Sequence, residues 1–476
     1  MATKDMSIGK PLKVLYAFAV PMIISVLFQQ FYNIADSLIA GNFIDDGGVV
    51  LAAVNSAYPV TVVFIAIGNG FGVGGSVVIS RIFGSKNYSR TKTAVRTALI
   101  NIAVFSVIFT ILGVFTNKPL LSLMNSQDLG DAVFSQSVDY LNIYVYGLSF
   151  LFIYNVVSSI FQALGNSKTP LFLLIFSTIF NVVIDIIFVK YLNLGVKGLA
   201  WGTFVAQGIA SVLSLIVLLI NINRLPKENE HIEGEVIEGV REQKHTHKAL
   251  ENSTFSLSTW TSIMLLSLPS ILQNSTVSIG QLFVQSLINS FGNQNLVSGY
   301  GTAFKVNYII ISVFLTISNA MATFTSQNIG AQRLDRAKEG LRGGVLSVIA
   351  IALFCMTLYL ILAKQLIAAF TMENNPEIIE IGAKFLYILA PFYVVVCIKI
   401  IFDGFIRGAG DMAGFTTSTM SDLIVRVGLS YLFVKVFHKG YESIWWSWPI
   451  GWILGAIVAV LFYFSKRWLK TAQRNL

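Results

Sequence analysis

Twelve long apolar segments constrain this chain more than any other feature of its sequence. A helix that crosses a bilayer needs about 20 mostly apolar residues. The chain is 55% hydrophobic and 12% charged, whereas soluble domains carry about 25% charged residues. The sequence therefore predicts an all-α polytopic membrane protein with twelve transmembrane helices. Their segments are 12–40, 49–79, 94–117, 133–160, 169–190, 196–222, 259–290, 296–325, 341–370, 378–405, 412–437 and 441–465.

The distribution of Lys and Arg predicts the orientation. With both termini in the cytoplasm, 23 of the 33 basic residues fall in cytoplasmic segments and seven in external ones. Such a bias is the positive-inside rule, and it indicates the inner (plasma) membrane with cytoplasmic termini. The net charge of +9 then faces anionic lipid headgroups, so membrane lipids are the expected partner and nucleic acid is not. The other three basic residues, Lys305, Lys399 and Arg426, fall inside segments.

The chain repeats itself. Residues 80–99 match residues 326–345 at an offset of 246, and residues 161–170 match 406–415 at an offset of 245. Each half holds six segments, an even number, so both halves enter the membrane from the same side. We therefore expect two parallel six-helix lobes around a central cavity, an arrangement common among alternating-access carriers.

A polar segment separates the halves. Residues 223–258 mix charges of both signs and contain few large apolar residues, so burial cannot offset the entropy of ordering them. We predict a first lobe over 1–222, a flexible cytoplasmic linker over 223–258 and a second lobe over 259–476. The linker carries three of the four histidines, for which a metal-binding or pH-sensing role is the alternative to plain solvation.

Five segments together resemble the multidrug and toxic compound extrusion (MATE) family, and the resemblance covers nearly the whole chain. It implies export of cationic or amphipathic small molecules, driven by inward flow of Na⁺ or H⁺ and needing no organic cofactor. The segments are AVPMIISVLFQQFYNIADSLIAG (19–41), GNGFGVGGSVVISRIFGSKN (68–87), FQALGNSKTPLF (161–172), FNVVIDIIFV (180–189) and GVKGLAWGT (195–203).

Ionisable residues inside the segments of the first half indicate a cation site. A charge at mid-bilayer costs about 3 kcal/mol, so each needs a partner or a purpose. Asp36 lies in the first segment, Asn181 and Asp185 lie four apart in the fifth, and Thr203 lies in the sixth. Their oxygens suit Na⁺, while two neighbouring carboxylates could instead share a proton. The MATE resemblance implies a cation site at these four positions; simple bonding between helices is the alternative.

Five residues are candidates for substrate contact. Gln29, Tyr32 and Asn33 follow the helical spacing that also places Asp36 on their face. Aromatic and amide side chains suit a wide cavity that holds flat cationic compounds. Tyr144 and Asn155 are the other two candidates, and packing is the alternative role for all five.

The second half departs from this pattern. Its first segment, 259–290, contains no acidic residue, and the repeat places Arg426 opposite Asn181. Three pairs of opposite charge lie four residues apart, a spacing that permits neutralisation within one helix. They are Lys399–Asp403, Asp403–Arg407 and Asp422–Arg426. Lys305 stands alone and could snorkel, pair with Asp403 or line a cavity.

The favoured function is therefore a monomeric cation-coupled antiporter. The alternative is a flippase for lipid-linked saccharides from a related superfamily, which Lys305, Lys399 and Arg426 would support through an anionic substrate. An enzyme would need a catalytic cluster, and the only histidine outside the linker is His438. A signalling receptor is not expected, because the chain has no large extramembrane domain.

Overall fold

A computed structural model describes residues 4–42, 47–123, 131–226, 253–371 and 375–474. Every element in this part of the chain is helical. The first half contains α1 (Pro11–Asn42), α2 (Gly47–Gly84), α3 (Tyr88–Leu123), α4 (Asp131–Tyr146), α5 (Leu148–Ala163), α6 (Lys168–Ile186) and α7 (Gly195–Asn223). The second half contains α8 (Leu257–Asn289), α9 (Gln294–Gly330), α10 (Leu334–Phe370), α11 (Pro376–Leu389), α12 (Tyr393–Gly408), α13 (Met412–Tyr431), α14 (Glu442–Phe464) and α15 (Arg467–Arg474).

All twelve predicted segments coincide with helices. Ten spans in the described residues are long and apolar enough to cross a membrane, with α11 and α12 joined as one of them. The pair α4 and α5, bent by 51°, forms an eleventh. The segment predicted over 412–437 coincides with α13, which is 20 residues long, carries Asp422 and Arg426, and is not among these eleven spans. The short helix α15 was not predicted.

The helices form two compact units. Unit 1 comprises Met1–Ser7, Tyr32–Leu268 and Ser326–Arg333, and its α2, α5, α6 and α7 form the main helix contacts. Unit 2 comprises Ile8–Phe31, Pro269–Thr325 and Leu334–Leu476, centred on α10, α12, α13 and α14. Of the predicted linker, residues 227–252, with their three histidines, lie outside the described residues. The predicted lobe boundaries remain predictions.

The duplication found in the sequence also appears as repeated backbone conformations. A π-helical turn over Ile187–Tyr191 recurs over Leu432–Val436, an offset of 245. Such turns are rare and often accompany functional sites. Left-handed backbone conformations also recur at matching positions; the pairs are Lys86 with Gln332, Gly165 with Gly410, and Asn193 with His438. The two halves therefore share local geometry as well as helix order.

Glycines let the ends of α2 and α9 approach closely within unit 1. A Cβ atom on Gly330 would lie 1.9 Å from the carbonyl oxygen of Arg81, and one on Gly84 would lie 2.1 Å from that of Gln327. The amide of Gln327 also ties down the N-terminal tail, because its Oε1 accepts from the Met6 backbone N–H at 2.9 Å while its Nε2 donates to the Ala163 carbonyl at 2.8 Å. This contact has no room for a further methyl group.

We therefore expect Gly330→Ala to lower the thermal unfolding midpoint of the purified protein. Overpacking against backbone typically costs about 1–3 kcal/mol. The control is Gly75→Ala, because a Cβ there would meet nothing within 4 Å. An equal midpoint for the two variants would contradict the close packing of α2 and α9.

Candidate cation site

Helix α6 carries two of the predicted site residues on one face. Asn181 and Asp185 lie one turn apart, and they are only 3% and 1% exposed. Thr203 is half-buried on α7, which packs against α6. Asp36 falls within α1, but its side chain lies outside the described residues, so its part in the site remains a prediction. The structure thus places three of the four predicted residues on two helices in contact.

The Asp185 carboxylate rests against the backbone of α7. A Cβ atom on Gly202 would lie 1.7 Å from Asp185 Oδ1 and 2.9 Å from its Cγ. Glycine is therefore required at position 202, because any side chain would displace the carboxylate. Sequence reasoning passed over Gly202, although it lies beside Thr203 in the GVKGLAWGT motif. The close approach holds an ionisable oxygen against the backbone of α7 one residue before Thr203.

Asn181 has an unsatisfied amide. Neither its Oδ1 nor its Nδ2 has a hydrogen-bond partner in the described part of the chain, although the residue is buried. Leaving a buried polar group unpaired costs about 1–3 kcal/mol, and unexplained groups of this kind often mark functional positions. An amide oxygen and a carboxylate one turn apart are both hard ligands, so the residues present fit a small cation or a proton.

The surroundings of the site are apolar. Val189, Val196, Leu199 and Val50 form a buried cluster against which Tyr140 packs. The first of these belongs to the π-helical turn that begins two residues after Asp185. Charges in such a medium interact more strongly than in water. Binding or loss of one cation or proton at this site therefore changes the electrostatic free energy more than it would in water.

The predicted substrate residues are dispersed. Tyr144 is buried and its ring stacks on that of Tyr140, with centroids 6.2 Å apart. Asn155 lies on α5 beside Gly68 of α2, and its Nδ2 has no partner among the described residues. Gln29 is exposed and belongs to unit 2. The side chains of Tyr32 and Asn33 lie outside the described residues, so no substrate role is tested for any of the five.

The charged pairs of the second half only partly follow the prediction. Lys399 Nζ contacts Asp403 Oδ2 at 3.0 Å, as predicted, and also Asp422 Oδ2 at 3.6 Å from the neighbouring helix.

The other two predicted pairs form no salt bridge among the described residues. Arg407 donates from Nη2 to Asn319 Oδ1 at 2.6 Å, and the Arg426 guanidinium lies 4.3 Å from the centroid of the Trp448 ring. Helical spacing permits a pair, but a partner on another helix competes for each charge. Lys305 does not pair with Asp403; it is exposed and has no ion pair among the described residues.

Comparisons with known proteins indicate a family of transporters. A sequence model of the MatE family matches residues 21–187 and 269–432. The probable multidrug resistance protein YpnP of Bacillus subtilis is 26% identical, covering 98% of this chain and 98% of its own. The multidrug export protein MepA of Staphylococcus haemolyticus is 22% identical over 96% and 94% of the two chains.

A solved structure confirms the fold. An outward-facing multidrug resistance MATE family transporter of the MOP superfamily is 22% identical and matches with a TM-score of 0.84, over 98% of each chain. A likeness of this extent confirms the predicted all-α architecture of twelve transmembrane helices in two lobes.

Because the Asn181 amide has no partner in the part of the chain that the structure describes, we expect Asn181→Leu to raise the thermal unfolding midpoint or leave it unchanged, and to reduce export. Replacing an unpaired buried amide with an apolar group of similar size removes a penalty of about 1–3 kcal/mol. The matched control is Asn307→Leu, since the buried Asn307 accepts from the Tyr393 hydroxyl at 2.7 Å and its loss should destabilise. A lowered midpoint for Asn181→Leu would mean that the amide has a structural role.

Proposed function

We propose that this chain, which belongs to the MATE family of multidrug efflux transporters, couples export to the inward flow of Na⁺ or H⁺. The supporting observation is the buried α6–α7 site, where the Asp185 carboxylate meets the glycine backbone and the Asn181 amide has no hydrogen-bond partner among the described residues. A proton or Na⁺ at this site would neutralise a charge that the apolar surroundings penalise. No organic cofactor takes part.

Coupling follows from a difference in affinity between two conformations. A cation that binds the outward-facing state more tightly shifts the population toward that state, and by linkage the substrate must favour the other. In our proposal, protonation or Na⁺ binding at Asp36 and Asp185 favours the outward-facing state and displaces substrate from the first-half cavity. The α1 segment carrying Asp36 belongs to the same unit as α6 and α7, which permits direct cooperation of the two carboxylates.

The substrates are small molecules. The names of the relatives, a multidrug resistance protein and a multidrug export protein, support a broad range. We propose cationic or amphipathic compounds, because amide and aromatic side chains such as Asn155 and Tyr144 recognise flat organic cations. The comparisons give no support to a flippase for lipid-linked saccharides.

The placement in the cell follows from the charge distribution. This multi-pass membrane protein has 23 of its 33 Lys and Arg residues on one predicted side. We propose the inner (plasma) membrane, both termini in the cytoplasm and a monomeric transporter. Membrane lipids then surround the two units and contact the basic segments.

The test replaces each carboxylate by its amide. Asp185→Asn and Asp36→Asn keep the size of the side chain and remove its charge, so efflux of a fluorescent cation from cells should fall about tenfold or more, within the usual range of coupling energies. Asp139→Asn is the control, because Asp139 is part-exposed and pairs with Lys197 at 3.2 Å on the same unit. Efflux at the level of the control by either variant, at equal amounts in the membrane, would overturn the proposal.

A further inference from the structure

In the second repeat, the positions equivalent to the cation site carry residues of opposite chemistry. At the offset of 245, Asn181, Asp185, Gly202 and Thr203 fall on Arg426, Ser430, Ser447 and Trp448. The contact between the two helices at these positions also recurs in the second half. Asp185 meets Gly202 in the first half, and Ser430 Oγ lies 2.8 Å from Ser447 Oγ in the second. Both sites precede a matching π-helical turn.

The second-half position has lost its carboxylate and gained hydrogen-bond donors. Arg426 is 6% exposed, and its guanidinium stacks on the Trp448 ring without an ion pair or hydrogen bond in the described residues. The indole Nε1–H groups of Trp448 and Trp445 are also buried without a partner there. Three donor groups on α13 and α14 are thus without a hydrogen-bond partner among the described residues.

The nearby carboxylates do not use these donors. Asp422 Oδ2 faces Lys399, and its Oδ1 lies 2.7 Å from the point where Gly451 would carry a Cβ. Asp403 and Asp422 carry two negative charges, and Lys399 carries one positive charge. The remaining negative charge offsets the positive charge of Arg426 through space. That offset permits the burial of Arg426 but leaves its N–H groups unbonded. An unbonded buried guanidinium is costly.

We propose that Arg426, Trp448 and Trp445 form a binding site for one negative charge, carried either by a small inorganic anion or by the carboxylate of a substrate. Guanidinium and indole groups are donors only, so they recognise acceptors and reject cations. The neighbouring rings pack against one another, Tyr300 on Trp445 at 5.3 Å and Phe385 on Trp448 at 5.8 Å. This packing favours a small acceptor group over a bulky one.

The site goes beyond the proposed cation coupling and does not depend on it. Gene duplication would have produced two equivalent positions, of which one kept oxygen ligands for a cation and the other acquired donors for an anion. A transporter with both sites would bind a cation in its first half and an anion in its second half.

The test measures the thermal unfolding midpoint of the purified protein in two series. One titrates sodium chloride, and the other compares 2-naphthoate with neutral 2-naphthamide. Ligand binding to the folded state should raise the midpoint saturably, by about 2 °C or more. We expect the rise with chloride if the ligand is inorganic, and with naphthoate if it is a substrate carboxylate.

Variants assign the effect to the site. Arg426→Gln should remove the anion-dependent rise, and Trp448→Phe, which keeps the ring but loses the N–H donor, should weaken it if Arg426→Gln does not fold. Arg407→Gln is the matched control, since Arg407 is a buried arginine of the same unit that already bonds Asn319; it should lower the midpoint in every solution and keep the rise. No rise with either anion, or a rise that survives both site variants, would overturn the proposal. These measurements use no cation gradient, so their outcome does not bear on the proposed cation coupling.

Discussion

The contact between a buried carboxylate and a bare backbone sets the chemistry of the first half. Asp185 reaches α7 only because position 202 has no side chain, and α6 and α7 can then pack with an ionisable group between them. In an apolar medium such a group must be neutralised, bonded or both. The amide of Asn181, one turn away, has no hydrogen-bond partner in the described part of the chain, and in our proposal a cation or proton meets this requirement.

The duplication explains how the two halves can share a scaffold and differ in chemistry. Helix order, π-helical turns and left-handed turn residues recur at offsets of 245 and 246. The side chains at the equivalent position do not, since Asn181 and Asp185 are matched by Arg426 and Ser430. Backbone geometry is set by many residues together, whereas the polarity of a site changes with two or three substitutions.

The sequence alone predicted the membrane class, the twelve segments and the internal repeat, because apolar length and spacing are properties of the chain itself. It also predicted that Lys399 pairs with Asp403, which needs only one helix. It did not predict the contacts of Arg407 with Asn319 and of Arg426 with Trp448, because these depend on which helices become neighbours. Gly202 was missed for the same reason, since its role appears only when α6 lies against it.

In our proposal, a cation gradient acting at the first-half site drives export. Purified protein in proteoliposomes tests it most directly, with Na⁺ and pH gradients imposed one at a time while movement of a fluorescent organic cation is followed. The account predicts that one of the two gradients drives transport against the concentration gradient of the dye and that Asp185→Asn abolishes this response. Uphill transport that is indifferent to both gradients, or that persists in the variant, would contradict it.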